Sequence, residues 1–135
     1  MELYNTNLAA EFYVLSILHR LGADTTLTLG NKKSVYIAVV KSAGDTVTIA
    51  VKGLAERTSW SVDNIKTLKK SHFIVFIRFL GNISDPTLLP EIYVVPSNKL
   101  APFVYHSPKG KRKVVGLHKM RREAKKYLNA WHLVL

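Results

Sequence analysis

Two β-rich runs, Val35-Tyr36-Ile37-Ala38-Val39-Val40 and Val47-Thr48-Ile49-Ala50-Val51-Lys52, flank a short connection that holds Ala43-Gly44-Asp45. Runs of β-branched residues joined this closely predict a β-hairpin. Side chains alternate along a strand, so Val47, Ile49 and Val51 share one face. Thr46, Thr48, Ala50 and Lys52 share the other. The first face belongs in a core. The second is expected to be free to host chemistry.

The surrounding sequence supplies the cover for that core. Leu8 to Leu21 reads as a helix, with Gly22 placed for a left-handed cap. Leu8, Phe12, Val14, Leu15 and Leu18 leave little of its surface polar, which predicts a helix buried nearly all round. Thr25 to Leu29 reads as a short strand, and Gly30-Asn31-Lys32-Lys33 as a turn. Ser61 to Lys70 reads as a second helix, with Ser61 as its N-cap and Val62, Ile65 and Leu68 as its apolar stripe. Phe73 to Leu80 is an apolar run of strand length. Gly81 to Pro90 reads as a loop, and Ile92 to Val95 as a strand stopped by Pro96. His106 to Lys113 reads as a basic loop and Leu117 to about Trp131 as a last helix. The expected architecture is α/β: a mixed sheet with flanking helices, in the order helix, β-meander, helix, strand, strand. Strand order in the sheet is not fixed by these patterns.

A length of 135 residues suits a single domain over 1–135. Apolar residues make up 47 % of the chain, too many for a disordered one. There is no cysteine, so disulfides and thiolate metal sites are excluded. The first residues lack the basic and apolar regions of a signal peptide, and no apolar run is long enough to span a bilayer. A cytoplasmic protein with no membrane role is the expectation.

At the hairpin the residues resemble a known family. Helix, turn, strand and hairpin, ending in Ile49-Ala50-Val51-Lys52-Gly53, look like the core of the PD-(D/E)xK nuclease-like superfamily. Trp60 after the hairpin, the run Phe73 to Phe79, and Pro90-Glu91-Ile92-Tyr93-Val94-Val95-Pro96-Ser97 extend the likeness. With Tyr127 and Trp131 it covers the chain from Glu11 to Trp131. The resemblance implies a restriction-endonuclease-like fold. In that superfamily a first-helix Glu, a strand Asp and a Glu or Gln on the next strand bind Mg²⁺, and a Lys two residues on serves the attacking water. Hard cations need such oxygen ligands. Here Glu11 and Lys52 match the pattern. Tyr36 stands where it calls for Asp, and Ala50 where it calls for Glu or Gln. Ala50 has no ligand atom, and a phenol with a pKa of about 10 is a poor Mg²⁺ ligand at neutral pH. The relic site of Glu11, Tyr36, Ala50 and Lys52 therefore implies no metal and no confident catalytic residue. Asp24 and Asp45 sit beside turn signals, and turn chemistry accounts for both.

Charge points elsewhere. The chain carries 20 basic residues against 9 acidic ones, a formal net charge of +11. Nine of the basic residues fall between Lys109 and Lys126, where Glu123 is the single acid. Lys109, Lys111, Arg112 and Lys113 lie in the basic loop. On a helix at about 100° per residue, Leu117, Met120, Ala124, Tyr127, Leu128 and Trp131 gather in one arc. Lys119, Arg121, Arg122, Lys125 and Lys126 occupy the rest. These nine cations are the candidate nucleic-acid contacts, because phosphate backbones reward clustered positive charge. The five histidines show no ligand spacing. The sequence thus suggests a catalytically inactive nuclease-like domain that binds nucleic acid through phosphates, DNA ahead of RNA. No cofactor is expected, and a homodimer is compatible with it. The alternatives are a Mg²⁺-dependent nuclease with a rearranged site, using Glu11, Lys52 and an acid such as Asp24, or a protein-interaction module.

Overall fold

A computed structural model of the chain describes residues 5–29, 35–55, 59–63, 65, 68–80 and 82–135, except the side chains of residues 28, 29, 35 and 36. Helix α1, Thr6–Arg20, starts where Asn5 Oδ1 accepts the Leu8 N–H at 3.1 Å. It ends as the sequence predicts. Gly22 takes φ +77°, its N–H reaches His19 O at 3.0 Å, and the Ala23 N–H reaches Leu18 O at 3.0 Å. This paired closure needs a left-handed residue, which glycine supplies without strain. The predicted turn at Gly30–Lys33 lies outside the described residues.

Among the described residues eight strands follow: β1 Asp24–Leu29, β2 Val35–Val40, β3 Thr46–Leu54, β4 Ser59–Ser61, β5 His72–Arg78, β6 Glu91–Pro96, β7 Val104–His106 and β8 Lys113–Gly116. Five of them form one mixed sheet in the order β1-β2-β3-β5-β6. The meander β1-β2-β3 is antiparallel, β5 joins β3 in parallel, and β6 returns antiparallel. At the β2–β3 turn Gly44 takes φ +97° while the Lys41 N–H reaches Asp45 O at 2.8 Å. The expected hairpin is therefore present, with Ile37 opposite Ile49. The mixed α/β sheet is present too.

Two cores cover the sheet, one on each face. Ala10, Val14 and Leu18 of α1 pack on Ile37, Val39, Val47, Ile49, Val51, Val75 and Ile77. On the far face Ile74, Phe76, Tyr93 and Val95 meet Trp60, Leu100, Phe103, Val115, Leu117, Met120, Ala124 and Tyr127. β5 is apolar on both sides because it is buried on both, which is why it reads as one unbroken hydrophobic run.

Four expectations need correction. α1 is not buried all round: Leu8 is 44 % and Phe12 52 % exposed, since the helix has the sheet on one side only. No helix occupies the described part of Ser61–Lys70. Trp60 and Val62 are buried and Ser61 between them is exposed, the alternation of a strand, and β4 pairs with β8. Ser61 Oγ donates to Asp63 Oδ2 at 3.1 Å and caps no helix. The last helix is also shorter than Leu117–Trp131. Helix α2 covers Leu117–Glu123, and 3₁₀ turns follow at Lys125–Tyr127 and Trp131–Val134. Asn129 breaks the helical path with φ +50°, and its N–H reaches Ile92 O at 2.9 Å. The apolar arc survives this break in part. Leu117, Met120, Ala124 and Tyr127 are buried, whereas Leu128 is exposed. The fourth correction is an addition: β4, β8 and β7 make a second, three-stranded sheet.

Candidate nucleic-acid interface

Lys52 lies near the end of β3, half-buried, on the face opposite Val51. That face is less free than its sequence suggests. Thr48 Oγ1 lies 2.7 Å from His72 Nδ1, and Ala50 packs on the second core. The second core covers it because β5 presents apolar side chains on both faces. Lys52 alone reaches a cleft of about 280 Å³, lined also by Asn7, Gly53, Trp60, Ser61 and Asp63. Burial holds its ammonium below the usual lysine range, and the nearby Asp63 charge partly offsets this.

The cleft is closed on one side by the start of α1. Asn7 Oδ1 accepts the Gly53 N–H at 3.3 Å. A Cβ on Gly53 would stand 2.9 Å from Thr6 O and 3.0 Å from Ala10 Cβ. Only glycine lets helix and strand come this close. Gly53→Ala is therefore expected to cost about 1–3 kcal/mol of stability, the usual range for overpacking. A urea melt checks it, and an unchanged midpoint would show that α1 can ride outward freely.

Trp60 forms the cleft floor from beneath. Its indole N–H donates to Ile77 O at 3.2 Å, and its ring sits 5.3 Å from that of Phe76. Asp63 forms the rim. It accepts the Lys113 backbone N–H at 2.5 Å and the Arg112 Nε–H at 2.8 Å, besides Ser61 Oγ. The Lys113 N–H is the leading reason that its carboxyl lies below the usual aspartate range. One acid thus ties the Lys52 cleft to the basic loop.

That loop is the tip of a hairpin. Ser107–Arg112 joins β7 to β8, with Ser107 N–H on Arg112 O at 2.9 Å and Gly110 at φ +64°. Lys109, Lys111, Arg112 and Lys113 are all exposed around it. Arg122, Lys125 and Lys126 are exposed on or just after α2, and Lys119 is half-exposed. Lys119 and Arg122 approach Glu123 at 3.8 and 3.9 Å, and Lys126 Nζ lies 5.1 Å from the Tyr127 ring centroid. Arg121 is differently placed. It grips Glu91 with Nη2 at 2.7 Å and Nε at 3.0 Å, while Tyr93 donates its hydroxyl to the same carboxylate at 2.6 Å. Arg121 thereby fastens α2 to β6.

Among the described residues, the positions matched to the nuclease pattern are not gathered into a cluster of metal ligands. Glu11 lies one helical turn beyond Asn7, and partial burial pushes its carboxyl above the usual range. Among the described residues, Glu11 does not line the Lys52 cleft. Tyr36 falls in β2 opposite Thr28, with its side chain outside the described residues. Asp24 pairs through Val40 to Thr46, at the far end of β3 from Lys52. Six strand residues separate those ends by about 20 Å. Among the described residues no three His, Asp or Glu side chains converge as metal ligands. The oxygen set that Mg²⁺ requires is thus not met by the described residues. Asp63 beside Lys52 had no signal in the sequence, because the contact spans the separate β4 and β8 segments.

No helix among the described residues is long and apolar enough to cross a membrane. Scans of protein-family models, curated proteins and solved structures return no match to the chain.

Proposed function

We propose that this chain is a catalytically inactive nuclease-like domain that binds nucleic acid through phosphate contacts. The observation that carries this reading is the crowding of cations on the β7–β8 hairpin tip and the α2 region, nine between Lys109 and Lys126 against the single acid Glu123 of that stretch, with Asp63 and Glu91 reaching in to Arg112 and Arg121. Arg121 is engaged by Glu91 and Arg112 by Asp63, so the contact surface centres on Lys109, Lys111, Lys113, Lys125 and Lys126, with Arg112, Lys119 and Arg122 beside them. The restriction-endonuclease-like fold is part of the proposal. Its support is the order of α1, a three-stranded meander, and a later strand joining β3 in parallel. Phosphate contacts give affinity without sequence readout, so weak discrimination among sequences is expected.

Fluorescence anisotropy against labelled DNA and RNA tests the reading. Binding should weaken steeply as salt rises, with a log–log slope of about −0.9 per phosphate contact on duplex DNA. Replacing Lys109, Lys111, Lys125 and Lys126 together by alanine should flatten that slope by about 3–4. Absence of binding at about 50 mM salt, where such contacts are strongest, would refute it. A protein-interaction module is the second reading, favoured by the exposed Leu8 and Phe12, one turn apart on α1. A salt-insensitive protein partner lost on Phe12→Ser would establish it.

A further inference from the structure

The small sheet has one face in the second core and another turned away from it. Cα pairing sets Ser61, Val114 and Tyr105 in one row across β4, β8 and β7. The neighbouring row is Trp60, Val115 and Val104, in which Trp60 and Val115 are fully buried. Alternation therefore points the Ser61 row outward. Tyr105 is 59 % exposed there. Gly116, on the same side, has nothing within 4 Å of where a Cβ would stand. The result is a low surface of small residues with one open aromatic ring.

Positive charge lies at one end of this surface. The loop with Lys109 and Lys111 follows β7 directly, and Ser61, paired with Val114, brings the Lys52 cleft to the same end. A duplex hides its base faces in its own stack, so it has nothing for the ring to meet. An unpaired strand offers both a base face and phosphates on either side of it. We infer that the outer face of the β4-β8-β7 sheet is a stacking platform for an unpaired polynucleotide strand. Tyr105 holds a base, and the loop cations beside it hold the backbone. This rests on the nucleic-acid reading above and names its substrate class.

The test compares labelled oligo-dT, oligo-rU and a duplex of equal length, about 12 nucleotides, a span typical of single-strand binding sites. At about 100 mM salt at least one of the two single strands should bind roughly tenfold tighter than the duplex. Tyr105→Ala should weaken single-strand binding roughly tenfold and leave the duplex unchanged, while Tyr105→Phe keeps the ring and the affinity. Tyr105 is exposed, so neither variant should unfold the domain, which circular dichroism verifies. Equal binding of duplex and both single strands, or an unaffected Tyr105→Ala, overturns the platform and leaves the phosphate reading standing. No binding to any probe at about 50 mM salt overturns both.

Discussion

Trp60→Ala is expected to lower the unfolding free energy by about 3–5 kcal/mol, the cost of emptying a large buried aromatic site. Trp60 is almost wholly buried, stacks obliquely on Phe76, and hydrogen-bonds Ile77 O. It comes from β4, whose three residues have no core of their own. Through this side chain the small sheet is fastened to the centre of the large one. A domain of this size has about 5–15 kcal/mol in hand, so the variant should be marginal at room temperature. Trp60→Phe keeps most of the apolar contact and loses the indole N–H, and about 1 kcal/mol should be lost through the hydrogen bond. Urea denaturation followed by circular dichroism compares the three proteins. A loss under about 1 kcal/mol for Trp60→Ala would mean that the small sheet is held elsewhere.

The second large effect is centred on Glu91. Its side chain is 14 % exposed, and it accepts from Arg121 and Tyr93 together. Arg121 is 46 % exposed, which tempers the pair by solvent screening. Glu91→Ala strands the buried Tyr93 hydroxyl and frees α2 from β6, and about 2 kcal/mol should be lost. Arg121→Ala leaves a mostly buried carboxylate short of its main partner, and about 1–2 kcal/mol should be lost. The double variant should lose less than the sum, by about 1 kcal/mol, because both remove one interaction. Additive losses would show that the two side chains act independently.

Acid should act on the same contact. Burial pushes the Glu91 carboxyl up, but the Arg121 and Tyr93 hydrogen bonds and the charges of Arg121 and Arg78 more than reverse it. The folded value therefore lies below the ordinary 4.5. The unfolded chain then binds the proton more readily, so this stability is fully present above pH 4.5. It is lost as pH falls through the folded value. Glu91→Ala should lack that component of the acid transition. Tyr93, whose phenol is driven far up by burial and by Glu91, stays protonated throughout.

What the sequence made legible was local. The β2–β3 hairpin follows from period-two alternation and a glycine at the turn, and β5 from an unbroken apolar run. The end of α1 follows from Gly22. The segment after Trp60 misled because Val62, Ile65 and Leu68 fall at helical spacing, while a three-residue strand is too short to show its own period. Its partners lie far along the chain: Asp63 meets Lys113, and Trp60 pairs with Val115. Asn129 hid the end of the last helix, because an asparagine can take a left-handed turn without the signal that glycine gives. The site followed the same division. Charge clustering was readable by counting residues. The withdrawal of Arg121 into a contact with Glu91, and the setting of Lys52 beside Asp63, depend on contacts between distant segments.

The segment at Leu128 and Asn129 has one further effect, on how copies of the domain can meet. Leu128 bridges Tyr93, and the Asn129 N–H takes Ile92 O, so the outer rim of β6 is occupied at its middle. Pro96 at the end of that strand has no N–H to offer a newcomer. The five-stranded sheet is thus sealed along one margin, and among the described residues only β1 presents the other. Growth of the sheet by added strands can run in a single direction. Two copies joining β1 to β1 about a twofold axis would use up both open margins, so such growth stops at a pair and does not run on into a fibre.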